Sequence, residues 1–84
     1  MIWKTHELKI DPEHFNKIIN HGKPFEIRKN DRNYKINDYL LLKEYDRNTN
    51  EYTGRETRVA ILDIFDNQEY LKENFILLII TRPL

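Results

Sequence analysis

The sequence predicts a small α+β fold in which about five strands, with one or two short helices, form a closed or nearly closed mixed β-barrel. Apolar and polar residues alternate over several segments, which is the period of half-buried strands. Five Tyr and four Phe accompany abundant Leu and Ile, while Ala60 is the only alanine. Such a composition is typical of sheets and not of helical bundles.

The first strand and the first helix are predicted from adjacent signals. Residues 5–10 alternate, with His6 among the residues on the inward face. Asp11 is a good helix cap, Pro12 suits the first helical position, and a left-handed Gly22 is a common terminator. The spacing of apolar residues between them predicts a short helix over residues 12–20 that packs on the sheet.

Four further strands are predicted by apolar runs bounded by turn-forming residues. Gly54 interrupts one of them and indicates a bulge, and Asn37 suits a left-handed turn. Residues 66–69 resemble a capping box and predict a second helix of at most two turns. The four strands are expected at residues 25–29, 39–45, 51–65 and 75–81.

Length and composition restrict the functional class. The 84 residues predict one domain, residues 1–84, and 14 basic residues against 14 acidic ones exclude coating of nucleic acid by bulk charge. The chain lacks cysteine and serine, which removes thiolate zinc sites and the serine triad. The longest apolar run, Phe75 to Ile80, is too short for a membrane span, and the first residues lack a signal-peptide core. We therefore expect a cytoplasmic protein without a membrane partner.

The two parts of the chain differ in the sign of their net charge. Residues 1–35 carry eight basic and five acidic residues, a net of +3, and the remainder carries a net of −3. Within residues 21–35, strand geometry places Glu26 and Arg28 on one face, about 6.5–7 Å apart. Two interpretations stay open: an exposed surface pair of little energetic value, or an inward pair held for ligand binding.

The segment from Lys23 to Arg28, Lys-Pro-Phe-Glu-Ile-Arg, resembles the GxKxxExR signature of the ASCH domain, a member of the PUA-like superfamily. Flanking blocks extend the resemblance to a compact bacterial and phage branch of ASCH-like proteins. His21 stands where the signature has glycine, with Gly22 one position later. The flanking blocks are residues 5–10, 25–32, 44–46 and 51–55.

This resemblance implies a small PUA-like mixed β-barrel with a cleft beside the first strand and helix. ASCH domains are proposed to bind RNA or modified nucleosides there, so the expected partner is RNA or a nucleotide-like ligand. We expect Tyr34, next to the basic turn, to stack on a base. The predicted ligand-binding residues are Lys9, Lys23, Glu26, Arg28, Lys29, Asp31, Arg32 and Tyr34.

Two alternatives to a binding module remain. Some ASCH-like proteins are amidohydrolases of acetylcytidine and a ribonuclease is described among them, so Lys23 and Glu26 are candidate catalytic residues. The amidohydrolase branch has a Lys-Thr-Glu arrangement with threonine at the place of Glu26. This chain departs from that arrangement at Glu26. The second alternative is a protein-interaction module of a phage or mobile element.

The three histidines predict no metal site and no cofactor. His14 and His21 are seven residues apart, about 10 Å along a helix, which is too far to share a metal. His6, on the inward face of the first strand, is interpreted as a hydrogen-bonded core histidine, with a catalytic base as the alternative.

Overall fold

In a computed structural model, which describes residues 2–84, the chain forms one five-stranded mixed sheet and one helix. The α+β prediction is confirmed, and every predicted strand begins at its predicted residue and ends within one residue of its predicted end. The elements are β1 (Thr5–Ile10), α1 (Pro12–His21), β2 (Phe25–Lys29), β3 (Tyr39–Asp46), β4 (Glu51–Phe65) and β5 (Phe75–Ile80).

The strand order is β1-β3-β4-β5-β2, with β1 parallel to β3 and the other neighbours antiparallel. β1 and β2 are consecutive in the chain but lie on opposite edges of the sheet. Across residues 2–84 no backbone ladder joins these two edges, so the sheet is not closed into the predicted barrel.

Two arginine side chains bridge the gap between the edges. Arg28 Nη2 donates to the carbonyl oxygen of Lys9 at 2.6 Å, and Arg32 Nη1 donates to that of Glu7 at 2.9 Å. Both carbonyls belong to the side of β1 that faces away from β3. Side-chain hydrogen bonds therefore stand where a closed barrel would have a backbone ladder.

The core lies between α1 and the inner face of the sheet. Phe15 and Ile18 are the buried residues of α1, and they belong to one core cluster with residues from every strand except β2. Burying each aliphatic side chain contributes about 1.5–3 kcal/mol. The buried apolar residues are Leu8, Ile10, Phe15, Ile18, Tyr34, Leu40, Leu42, Val59, Ile61, Ile76, Leu78 and Ile80.

The two ends of α1 differ from each other in how they are capped. Asp11 has the extended backbone of a cap, but its carboxylate accepts a hydrogen bond from Arg47 Nε at 2.7 Å instead of bonding helix amides. At the other end, Gly22 is left-handed (φ 62°), as predicted. The amides of Gly22 and Lys23 donate to carbonyls of the last helical turn, which determines the direction in which β2 begins.

The bulge predicted at Gly54 is confirmed, and it positions the exposed Arg55 against the buried carboxylate of Glu44. One residue of β3, Glu44, lies opposite residues 53–55 of β4, and Gly54 has φ 93°. Arg55 Nε and Nη2 donate to the two oxygens of Glu44 at 2.9 and 2.8 Å, and Thr53 Oγ1 donates at 2.6 Å. Hydrogen bonds from Arg55 hold the pKa of the buried Glu44 carboxyl below its ordinary value, although burial opposes them.

The helix predicted at residues 66–69 is wrong. The amides of Tyr70 and Leu71 both donate to the carbonyl of Asn67, and Asn67 Oδ1 accepts from the Glu69 amide, so the segment forms turns. Gln68 then bonds forward to Asn74 and Phe75 and directs the chain into β5. No helix within residues 2–84 is both long and apolar enough to cross a membrane.

Candidate functional site

The space between the free edges of β1 and β2 is a cleft, which we call the edge cleft. It consists of two adjoining cavities of about 370 and 470 Å³. Lys9 from β1 and Arg28 from β2 line both cavities. The smaller one is called the Glu26 cavity and the larger one the Tyr52 cavity.

The Glu26 cavity contains a buried carboxylate between two cations. Glu26 is 5% exposed, accepts from Arg28 Nε at 2.9 Å and lies 3.5 Å from Lys23 Nζ. Lys23 Nζ is also 3.4 Å from His14 Nδ1 on α1. Phe25 and Arg47 complete much of the lining.

The burial of the Glu26–Arg28 pair excludes one of the two interpretations of the sequence. Alternation along β2 turns Glu26 and Arg28 toward the interior of the cleft, whereas Phe25 and Ile27, which also border the Glu26 cavity, are partly exposed. The pair is therefore not an exposed surface pair. Its two charges are held at 2.9 Å in a partly buried position, where attraction is screened less than on the surface.

The Tyr52 cavity combines an exposed aromatic ring with cations. Tyr52 is 51% exposed and lies 5.1 Å from the Tyr45 ring, centroid to centroid. Lys43 Nζ is 5.0 Å and Lys9 Nζ 5.8 Å from the Tyr52 centroid. Arg32 also lines this cavity.

One carboxylate moderates the positive charge of the Tyr52 cavity. Glu7 Oε1 lies 3.5 Å from Lys43 Nζ. The four basic residues that line the cavity exceed this single acid, so the cavity is positively charged overall. An anionic ligand is therefore favoured here over a cationic one.

Five of the eight predicted binding residues are brought together in the edge cleft. They are Lys9, Lys23, Glu26, Arg28 and Arg32. Lys29 lies on the opposite face of β2, and Asp31 is exposed in the following turn, 3.9 Å from Arg32 Nε. These two residues stand apart from the cavity linings.

The structure buries Tyr34, which was expected from the sequence to be free to stack on a base. Tyr34 is only 8% exposed, and its ring packs against His6 at 4.8 Å. Burial raises the pKa of Tyr34 above its ordinary value, although nearby Arg28 and Arg32 oppose the rise. Its sequence position beside the basic turn suggested exposure, but long-range contacts with β1 decide its burial.

The interpretation of His6 as a hydrogen-bonded core residue is confirmed. His6 Nε2 donates to Asp38 Oδ2 at 2.8 Å, and both residues are buried. Burial would raise the pKa of Asp38, but hydrogen bonds from His6 and from the amides of Lys4 and Lys35 outweigh it and leave the pKa lowered. Asp38 follows the left-handed Asn37 (φ 80°), so this predicted turn is confirmed as well.

Sequence reasoning missed His14, Lys43 and Arg47 and preferred Tyr34 to Tyr52. A partial signal existed, since strand alternation puts Lys43 and Tyr45 on one face and a hairpin brings Tyr45 opposite Tyr52. His14 and Arg47 reach the cleft only through the packing of α1 and the β3–β4 loop. Over residues 2–84, no group of three or more His, Asp or Glu side chains is placed to hold a metal ion.

Comparison with known proteins assigns the chain to a family. The model of the family described as "Domain of unknown function (DUF3850)" matches residues 5–80. The chain belongs to this family. The match to DUF3850 spans all five strands and α1, and therefore every residue that lines the edge cleft.

A phage protein is similar to this DUF3850 chain over most of its length. It is described as "Uncharacterized 12.9 kDa protein in GpA 3'region" of Escherichia phage P2, and it is 36% identical over 78 residues. The alignment covers 93% of this chain and 69% of the phage protein. A phage therefore encodes a protein similar to this chain.

Proposed function

We propose that this protein is an RNA- or nucleotide-binding module of the ASCH type within the PUA-like superfamily, and that the edge cleft is its binding site. The observation that carries the proposal is the convergence of Lys9, Lys23, Arg28 and Arg32 on a cleft that also holds the buried Glu26. In a chain of zero net charge, this is a local concentration of cations suited to phosphate.

The proposed roles follow from donor and acceptor chemistry. Arg28 has five N–H donors and uses two in its bonds to Glu26 and the Lys9 carbonyl. The remaining donors suit a phosphate or a base edge. Glu26 orients Arg28 and has acceptor capacity left for a base amine, while Lys23 neutralises phosphate.

The open sheet is compatible with a PUA-like barrel that is completed by side chains. Arg28 and Arg32 bridge the edges that a closed barrel would join by backbone bonds. Lys23, Glu26 and Arg28 stand at the signature positions and line one cavity. His21 replaces the signature glycine, and the left-handed turn is made by Gly22 instead.

Binding is tested by amide NMR titration of the labelled protein with a pool of short single-stranded RNAs, then with cytidine and acetylcytidine. We expect shifts at residues of the edge cleft that diminish with salt. Arg28→Ala should abolish them with the spectrum still dispersed, and Lys29→Ala, which removes an equal charge from the opposite face, should leave them. A dispersed spectrum with no shifts for any of these ligands would refute the proposal.

A second candidate function, hydrolysis of a modified nucleoside or of RNA, is favoured by one observation. Lys23 Nζ lies 3.4 Å from His14 Nδ1 and 3.5 Å from Glu26 Oε1, so three groups that can act as general acids or bases are neighbours. The test is turnover of acetylcytidine or cleavage of single-stranded RNA. It should be lost in Lys23→Ala, and absence of turnover in the unmodified protein excludes this function.

The third candidate, a protein-interaction module of a phage or mobile element, is favoured by the relative from Escherichia phage P2. A pull-down complex that persists after nuclease treatment would support it. A complex that is lost on nuclease treatment would indicate that nucleic acid, and not a protein contact, holds it together.

A further inference from the structure

The two cavities of the edge cleft share one wall, and this arrangement restricts the kind of nucleotide ligand. Lys9 and Arg28 form the shared wall, with Glu26 in one cavity and Tyr52 in the other. We infer, on the basis of the proposed function, that the cleft binds two consecutive nucleotides of a single strand. The linking phosphate lies at Lys9 and Arg28, and one base stacks on Tyr52.

The shared wall has the chemistry of a phosphate site. Arg28 is fixed by Glu26 on one side and by the Lys9 carbonyl on the other, at 2.9 and 2.6 Å, so its guanidinium is oriented before a ligand arrives. Lys9 Nζ lies 4.3 Å from the Tyr45 ring centroid, which holds a second cation nearby. A phosphate placed here has the two cavities on its two sides.

The Tyr52 cavity suits a stacked base with its own phosphate. Tyr52 is half exposed although it belongs to a paired strand, and Lys43 and Lys9 lie within 6 Å of its ring centroid. Every base has a flat face that can stack on a tyrosine, so this position tolerates any base. Arg32 and Lys43 line the same cavity and can bind the adjoining phosphate.

The Glu26 cavity differs from the Tyr52 cavity in both size and polarity. It should be the position that discriminates between bases. Its buried carboxylate accepts hydrogen bonds and donates none, so it favours a base with an exocyclic amine, such as cytosine, over uracil. The ammonium of Lys23 at 3.5 Å limits this preference to a base that also presents an acceptor, as cytosine does. A free nucleoside would fill this cavity and leave the Tyr52 cavity empty.

The test compares 5′-CMP with the 5′-phosphorylated dinucleotides CpU and UpC by titration calorimetry or NMR. At least one dinucleotide should bind about tenfold more tightly than CMP, as expected for one additional stacked base. Tyr52→Leu keeps an apolar contact with Tyr45 but removes the aromatic face. It should weaken the dinucleotide about tenfold and leave CMP within about twofold.

Tyr70→Leu is the matched control, since Tyr70 is 77% exposed and packs beside Phe65, away from the cleft. Tyr52→Trp, which retains a stacking face, should preserve dinucleotide binding and guards against a folding defect in Tyr52→Leu. Equal affinity for CMP and both dinucleotides would overturn the two-nucleotide inference while the proposed function stands. An equal loss for CMP and dinucleotide in Tyr52→Leu would also overturn it. Absence of binding by all three would remove the proposed function itself.

Discussion

Glu26 holds Arg28 and Lys23 from a position that is nearly inaccessible to water. Replacing its carboxylate by an amide removes the negative charge that lies between these two cations. We expect Glu26→Gln to lower the free energy of unfolding by about 1.5–3 kcal/mol, the usual range for hydrogen bonds to charged groups. Urea unfolding followed by far-ultraviolet circular dichroism measures the change.

Glu13→Gln is the control for this prediction. Glu13 pairs with Lys17 at 3.3 Å on the exposed surface of α1, where such a pair is worth about 0–1 kcal/mol. Equal losses of stability in Glu13→Gln and Glu26→Gln would show that burial of Glu26 adds nothing to its ion pair.

Residue-level features were predictable where they depend on neighbours in the chain. The alternation of a strand correctly predicted that Glu26 and Arg28 share one face of β2. The left-handed turn at Asn37 was predictable because asparagine adopts that backbone conformation more readily than most residues. Whether that face of β2 points inward depends on α1 and β1, which short-range patterns do not specify. The burial of Tyr34 was not predictable for the same reason, because it comes from contact with His6, which is distant in the chain.

The bulge in β4 depends on the backbone freedom of one glycine. Gly54 has φ 93°, and a Cβ built there would meet nothing within 4 Å, so the cost of a side chain is conformational and not steric crowding by neighbours. Gly54→Ala should therefore lower the free energy of unfolding by about 1–2 kcal/mol. Thermal or urea unfolding of the two proteins measures this loss.

The outcome for Gly54→Ala has a built-in comparison in Ala60→Gly. Ala60 lies opposite Tyr39 in β4 and is not left-handed, so glycine adds only the ordinary cost of chain entropy there. If Gly54→Ala proved neutral, the left-handed strain assigned to the bulge would be incorrect.

The ion pair held by the same bulge should make stability depend on pH. The pKa of Glu44 is lowered in the folded state from its ordinary value of 4.5, so the unfolded state binds the proton more readily. The stabilisation is complete above about pH 4.5 and is lost as pH falls through the lower folded value. Glu44→Gln should be less stable than the unmodified protein at pH 7 and should lose less stability between pH 5 and pH 3.

Unfolding midpoints in urea, measured at half-unit pH steps, test this dependence. Asp38 also has a lowered pKa and contributes to the acid sensitivity that remains in Glu44→Gln. Parallel pH profiles for the two proteins would contradict the role given to Glu44.

Secondary structure was predictable where apolar periodicity and turn residues agreed. The five strands and α1 carry both signals, and their bounds were predicted to within one residue. Residues 66–69 carry a helix-start signal without the apolar stripe that would hold a helix against the core. The side chains of Asn67 and Gln68 bond to the local backbone instead, and the left-handed Asn74 returns the chain to β5.

At the scale of the whole molecule, Arg28 and Arg32 connect two edges that no backbone ladder joins within residues 2–84. We expect the double variant Arg28→Lys and Arg32→Lys, which preserves charge but removes the planar donors, to loosen β1 and β2 selectively. Amide hydrogen exchange should become faster in the ladders of those two strands and stay unchanged in the paired centre of β3 and β4.

The control is the double variant Lys17→Arg and Lys72→Arg, which makes the reverse exchange of lysine and arginine at positions away from the two edges. It should leave the hydrogen-exchange pattern unchanged. If exchange in the double variant rose equally in all strands, the arginines would stabilise the whole fold and not the closure of the edges.

The strand order was the least predictable feature. Five strands were expected, but their neighbours were not, because pairing joins residues far apart in the chain. β2 pairs with β5 across some fifty residues, and β1 pairs with β3 across more than thirty. The expected closed or nearly closed barrel and the observed open sheet contain the same five strands, but local sequence patterns do not encode whether the two edges of a sheet are joined.

That order also has a kinetic consequence. The β3–β4 hairpin has a loop of four residues and β5 follows along the chain, whereas β1 and β2 must each close long loops to reach their neighbours. We expect the three central strands to form first and the two edges to join last. In pulse-labelling hydrogen exchange during refolding, amides of β3 and β4 should gain protection before those of β1 and β2, so the two strands that border the edge cleft are the last to join the sheet.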